Sequence, residues 1–199
     1  MGTLKIFDLN QYKIKNNLSV FVETGTYMGD SLDYASSFGF EDMYSIELLD
    51  KFYNLCTQRF SKNRQIKLIK NNSIDGLIEL LPQLTKKNCL FWLDAHLPDF
   101  YDNSFGNDYL NNKEIFIPLE KELRIIKESK NIENDVFIID DLRIYEKGNY
   151  QSGNWDGVLK NEKTSSGVNF IYDILSDTHT IVKDYRHEGY IICQPKKNL

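Results

Sequence analysis

The sequence predicts an open α/β fold, a mostly parallel seven-stranded sheet between two layers of helices. Short apolar runs alternate with helical periodicity from residue 19 to about 140, the pattern of parallel strands joined by crossover helices. The run CLFWLD (Cys89 to Asp94) is apolar up to its last residue, as a central parallel strand covered on both faces should be. The last two strand-like runs are separated only by YRHEG. A parallel pair needs a crossover of about a dozen residues, so these two must pair antiparallel.

Taken in order, SVFVE (Ser19 to Glu23) is the first strand, and a glycine-bearing turn leads into a helix from about Asp30 to Ser37. MYSIE (Met43 to Glu47) is the second strand, and Leu48 to Phe60 has helical periodicity. IKLIK (Ile66 to Lys70) is the third strand. Ser73 opens a helix carrying Leu77, Ile78 and Leu81 at helical spacing. After the CLFWLD strand, residues 97 to 113 are rich in Asp, Asn, Tyr and Gly and read as a loop. Leu119, Leu123 and Ile126 define the next helix, and DVFIID (Asp135 to Asp140) the fifth strand. A second loop-like stretch covers residues 146 to 166. A helix over Val168 to Leu175 then leads to HTIVKD (His179 to Asp184) and YIICQ (Tyr190 to Gln194). There is no internal repeat and no linker, so residues 1 to 199 read as one domain, with residues 1 to 18 as an N-terminal extension.

A chain of 199 residues suffices for one domain with a proper core. Asp and Glu total 29 against 24 Lys and Arg, a net charge of -5, which argues against a protein held to nucleic acid by its own field. Cys56, Cys89 and Cys193 are too few and too irregular for a disulfide framework or a structural zinc site, and read as buried thiols. No apolar run reaches signal-peptide length near the start or the roughly 18 residues of a membrane span. The expectation is a cytoplasmic protein acting on a small molecule, with neither nucleic acid nor membrane as partner.

The chemistry gathers where strands end. The first turn reads Glu23-Thr24-Gly25-Thr26-Tyr27-Met28-Gly29-Asp30-Ser31, and its glycines let the backbone turn sharply and approach a ligand. Glu47 ends the second strand, 22 residues after Gly25, where a carboxylate can accept both hydroxyl hydrogens of a ribose. A nicotinamide dinucleotide would need G-x-G-x-x-G for its pyrophosphate, and Tyr27 stands at the second glycine. No G-x-x-x-x-G-K-[ST] is present, which excludes a P-loop.

With Glu-x-Gly-x-x-x-Gly after strand one, an acid closing strand two and a terminal hairpin, the chain resembles the class I S-adenosylmethionine-dependent methyltransferases, from about residue 19 to 194. The resemblance implies a Rossmann-like three-layer sandwich. It also implies that the backbone from Gly25 to Gly29 lines the methionine moiety of S-adenosyl-L-methionine. Glu23, Thr24, Thr26, Tyr27, Asp30 and Ser31 belong to the same cofactor-binding turn, and Glu47 holds the ribose. Asn72 and Ser73 fall where family members often place an acid beside the adenine, and Asp94 borders the reactive end. The family's usual pattern has a glycine where this chain has Tyr27, which narrows the space beside the methionine part.

Asp94 ends strand four in WLDAH, and Asp140 and Asp141 end strand five in IIDDLR. Strands lie about 5 Å apart in a sheet, so these carboxylates can converge, and they repel unless a cation intervenes. A hard, oxygen-preferring ion, Mg²⁺ or Mn²⁺, would neutralise them. The set resembles the metal-dependent O-methyltransferases of the catechol type, where the third ligand is often Asn rather than Asp141. Pairing with Arg143 or helix capping is the competing explanation. His96, two residues past Asp94, could take a proton from a substrate hydroxyl; the catechol-type enzymes use a lysine in that region. His187 reads as surface, and His179 carries no assigned function. The loops 97 to 112 and 146 to 167, with Tyr101, Phe105, Tyr109, Tyr150 and Trp155, are expected to shape the acceptor pocket or simply to anchor themselves.

The expected activity is therefore methyl transfer from S-adenosyl-L-methionine to a small hydroxylated acceptor such as a sugar or sugar nucleotide, with metal assistance, Asp94 and His96 being catalytic. A metal-independent methyltransferase and a non-catalytic adenosyl-nucleoside-binding scaffold remain open alternatives.

Overall fold

The computed structural model describes residues 3–96, 116–155 and 167–196. Its strands are β1 (Val20–Thr24), β2 (Asp42–Glu47), β3 (Ile66–Lys70), β4 (Cys89–Leu93), β5 (Val136–Ile139), β6 (His179–Asp184) and β7 (Tyr190–Pro195). They form one sheet in the order β3-β2-β1-β4-β5-β7-β6. The pairs from β3 to β5 are parallel, and β7 runs antiparallel to both β5 and β6. The YRHEG connection closes the hairpin that its shortness required.

The helices among the described residues are α1 (Leu9–Asn16), α2 (Asp30–Ser36), α3 (Asp50–Arg59), α4 (Ser73–Leu80), α5 (Leu119–Ser129) and α6 (Asn169–Leu175). Two separate hydrophobic clusters define the layers. On one face Val20, Val22, Phe91 and Phe137 meet Leu77 of α4, Leu123 and Ile126 of α5, and Ile171 and Ile174 of α6. On the other, Phe21, Leu90 and Trp92 meet Leu32 of α2 and Cys56 of α3. Residues alternate between the two faces along a strand. Both faces are covered here, so β1, β4 and β5 are buried throughout, and β4 and β5 read as unbroken apolar runs, while β1 is apolar up to the buried Glu23 and Thr24.

Residues 3 to 18 pack against the sheet layer. Asp8 caps α1 by accepting from Asn10 N–H, and Leu4, Phe7, Leu9 and Leu18 enter the second cluster. Phe7 meets Tyr190 of β7 edge-on, with ring centroids 5.1 Å apart. All three cysteines are buried and free, and no helix among the described residues is long and apolar enough to cross a membrane.

The chain builds β1, β2 and β3 outward, then returns to place β4 on the other side of β1. Connections above β1 and β4 therefore diverge and leave a crevice at the carboxyl ends, where ligands of open α/β sheets bind.

Candidate active site

The hydrogen-bond ladder continues one step past the strand ends. Gly25 N–H donates to Ile46 O (3.0 Å), Asp94 N–H to Thr24 O (3.1 Å) and Asp140 N–H to Leu93 O (3.1 Å). Gly25, Asp94 and Asp140 therefore stand in a row at the mouth of the crevice. Gly25 has φ 85°, and a Cβ on it would meet the backbone of Asp94 and Ala95, so no other residue keeps this crossing. Gly29, at φ 81°, ends the turn over Phe60 and Cys56 of the α3 layer.

Tyr27, at the position of the expected glycine, adopts the glycine-like conformation itself, with φ 47°. Its ring swings onto Phe52 of α3, centroids 4.5 Å apart. Its N–H donates to Glu47 Oε2 (2.8 Å), while Leu49 N–H donates to Oε1 (2.7 Å). Burial raises the Glu47 pKa against these two donors. The carboxylate is thus fixed by backbone, and each oxygen retains a lone pair for a ribose hydroxyl.

Glu23 lies deeper. It accepts from the hydroxyls of Ser31 and Ser45, and Ser45 is in turn 2.5 Å from Thr26 Oγ1. Burial pushes the Glu23 carboxyl up to about 8, despite the two serine hydroxyls, and its bonds to Ser31 and Ser45 tie the turn to β2. Asp30 is exposed and paired with Arg59 (2.7 Å). Asn72 caps α4, its Oδ1 accepting from Asp75 N–H (2.9 Å) and its Nδ2 donating to Asp75 Oδ2 (2.7 Å). Its amide therefore already has partners at both ends, and Ser73 beside it is buried.

Across the crevice, His96 Nε2 lies 2.7 Å from Asp141 Oδ2 and 3.3 Å from Asp94 Oδ1. Arg143 Nε donates to Asp141 Oδ1 at 2.9 Å. Burial works against charge on His96, but hydrogen bonds to Asp141 and Asp94 raise its pKa well above 6.5. Burial raises Asp94 and Asp140, whereas at Asp141 burial is outweighed by His96 and Arg143 and the pKa falls. The group whose ligand atoms lie within 4.8 Å of one another is Asp94, His96 and Asp141. Asp140 stands beside it, with Oδ1 buried and without a hydrogen-bond partner. The Asp141–Arg143 pair weighed as an alternative in the sequence is present, within the same cluster.

Glu122 of α5 was not read from the sequence. It is 1% exposed, and burial pushes it up to about 7 against the neighbouring Ser73 and Thr24 hydroxyls. The signal was an acid on the apolar face marked by Leu119, Leu123 and Ile126. Trp155 faces the cluster, 5.6 Å over Arg143 and edge-on to His96 at 6.4 Å. Tyr150 instead anchors its own loop, buried against Tyr185 with its hydroxyl donating to Glu146 O (3.1 Å). Tyr101, Phe105 and Tyr109 lie outside the described residues. His187 is half-buried on the hairpin turn. His179 is buried, with Nε2 3.0 Å from Asp135 O.

No protein-family model and no curated protein matches the chain. Solved structures do match. A candidate caffeoyl-CoA O-methyltransferase from Staphylococcus aureus is 14% identical at a TM-score of 0.64, over 98% of this chain and 84% of that one. An O-methyltransferase from Bacillus cereus, solved in complex with SAH, is 13% identical at 0.59, over 94% and 79%. An rRNA methylase from Streptococcus thermophilus is 9% identical at 0.55, over 100% and 99%. At such identities the likeness is one of architecture. The chain has the Rossmann-like fold of the class I methyltransferases.

Proposed function

We propose that this protein is an S-adenosylmethionine-dependent methyltransferase acting on an oxygen of a small hydroxylated acceptor. The observation that carries the reading is convergence at one crevice. The Gly25 turn and the backbone-fixed Glu47 carboxylate stand on one side, and Asp94, His96 and Asp141 on the other. Neighbours of the same architecture, one of them bound to SAH, support the donor. The net charge of -5 favours a small acceptor over a polynucleotide, although the fold also serves an rRNA methylase.

In this reading Glu47 holds the ribose hydroxyls and the Gly25 turn admits the methionine part of the donor. The acceptor oxygen forms its C–O bond as the C–S bond of the donor breaks, S-adenosylhomocysteine leaves, and the hydroxyl proton passes to the Asp94–His96 pair. Asp94, at the end of β4 and 3.3 Å from His96 Nε2, is placed to accept that proton. His96 Nε2 donates to both carboxylates and compensates their charge. Trp155 closes the wall beside His96 and helps to exclude water. The donor set also fits a divalent cation. Asp94, Asp141 and His96 gather their ligand atoms, and Asp140 adds a buried oxygen without a partner. When bound, Mg²⁺ or Mn²⁺ there supplies Lewis acidity that lowers the pKa of the acceptor hydroxyl.

A metal-independent methyltransferase is the second reading, favoured by the charge compensation that His96 and Arg143 already give Asp141. Calorimetric titration with S-adenosylmethionine, repeated with Mg²⁺ and with chelator, separates the readings. Micromolar donor binding is expected, with a separate Mg²⁺ heat that disappears in Asp94→Ala. Donor binding with no Mg²⁺ heat selects the second reading, and no donor binding at all overturns both.

A further inference from the structure

The segment after β5 is held by the terminal hairpin. Leu142 N–H donates to Gly189 O (2.9 Å) and Arg143 N–H to Glu188 O (3.2 Å). Asp141 itself has left-handed backbone, φ 54°, a conformation that costs a non-glycine residue about 1 kcal/mol or more and persists where its surroundings enforce it. Side chains continue the tie. Glu188 Oε1 lies 4.0 Å from Arg143 Nη2, and Arg143 Nε 2.9 Å from Asp141 Oδ1. Asp141 Oδ2 is 2.7 Å from His96 Nε2, which is 3.3 Å from Asp94 Oδ1. Acids and bases alternate from the hairpin to the end of β4, and every side chain in the row is largely buried.

We propose that Arg143 is the positioning residue of the acid cluster, and that Glu188 and the hairpin turn hold Arg143 in place. The guanidinium takes one oxygen of Asp141 and leaves the other facing His96. It thereby acts with the His96 contact to select that rotamer of a carboxylate on a chain turn. An arginine suits the task because its planar fork presents Nε to Asp141 and Nη2 to Glu188 at once, whereas an ammonium is a single point. Arg143 touches no reacting atom in this scheme. The inference rests on the proposed reading only in taking Asp94, His96 and Asp141 as the reacting cluster.

Proton NMR of the full chain tests it through the His96 imidazole N–H. Held between two carboxylates, this proton should appear far downfield and exchange slowly, and Asp141→Asn and His96→Gln should remove the signal and so assign it. In Arg143→Met its exchange should quicken by about tenfold or more, the scale of losing a charge-assisted hydrogen bond. Arg143→Lys should restore part of the protection, and Glu188→Gln should fall between wild type and Arg143→Met. Core amide exchange should stay unchanged, which a general loss of structure would not allow. Wild-type exchange in both Arg143→Met and Glu188→Gln overturns the proposal, as does absence of the signal from the wild type. If Arg143→Met does not fold, Arg143→Lys and Glu188→Gln decide. S-adenosylmethionine affinity, measured alongside, should change less than about twofold in the Arg143 variants, because Gly25 and Glu47 lie across the crevice. Failure of the wild type to bind the donor would sink the functional reading and leave the NMR result standing.

Discussion

A Cβ built on Gly25 would stand 2.7 Å from the carbonyl oxygen of Asp94. The first turn of the chain and the end of its fourth strand are therefore in backbone contact, so a side chain added at Gly25 reaches Asp94. Gly25→Ala must displace Asp94 and also strain a φ of 85°, at a cost of about 1–3 kcal/mol. We expect a lowered midpoint in thermal unfolding and at least about tenfold weaker S-adenosylmethionine binding by calorimetry. A variant that binds the donor as well as wild type would show that this crossing does not shape the donor site.

Glu47 satisfies the N–H groups of Tyr27 and Leu49 as well as the ribose assigned to it. Glu47→Ala leaves both donors without their acceptor, and charge-assisted bonds of this kind are worth about 1.5–3 kcal/mol. Donor affinity should drop by about tenfold to a hundredfold, with Glu47→Gln milder because one oxygen remains. Equal affinities across the three proteins would place the ribose elsewhere.

Glu23 gives the fold a pH dependence. Burial lifts its carboxyl from 4.5 to about 8, so the folded chain holds this proton more tightly than the unfolded one. The sign follows from linkage: the contribution is fully present below about pH 4.5 and is lost as pH rises through about 8. Glu23→Gln, which imitates the protonated acid, should flatten that part of the profile. Denaturant midpoints from pH 5 to 9 that keep the same slope in both proteins would contradict it.

At the opposite end of the sheet, Lys130 and Asp135 form a fully buried pair 2.5 Å apart, and Asp135 also accepts from Cys89 N–H (2.7 Å). Lys130→Met leaves a carboxylate without its cation, a change that costs about 3–5 kcal/mol. Chemical denaturation should show that loss while S-adenosylmethionine affinity, across the molecule, stays put. A loss under about 1 kcal/mol would mean that Asp135 simply takes up a proton in the variant.

The sheet was legible because each strand's amino acids answer to their own surroundings. Cys89 to Leu93 are apolar since both faces are covered, and the five-residue link before Tyr190 leaves no choice but an antiparallel return. Gly25, Glu47 and Asp94 were legible for a related reason, since strand ends and turns fix their places locally. What escaped is long-range. The helix at Leu9–Asn16 has no strong apolar stripe of its own and is held by Phe7 on Tyr190, a contact across the whole chain. Glu122 shares the apolar face of Leu119, Leu123 and Ile126, but what it meets when buried depends on β1 and α4 beneath α5. Arg143 could be paired with Asp141 from spacing alone, but its tie to Glu188 depends on a hairpin packing back over β5. Tyr27 looked like an obstruction, and only the backbone shows that a tyrosine can take the glycine's conformation and turn its ring away.

Although β7 follows β6 in the chain, it lies inside it in space, between β5 and β6, and Thr3 N–H donates to the hydroxyl of its Tyr190 (2.9 Å). Residues 190 to 195 therefore carry two attachments at once, the pairing that holds β6 in the sheet and the hydroxyl that clasps the N-terminal segment. The same strand that joins β6 to the sheet thus leads out of the turn whose Glu188 and Gly189 carbonyls hold the backbone just beyond Asp140 and Asp141.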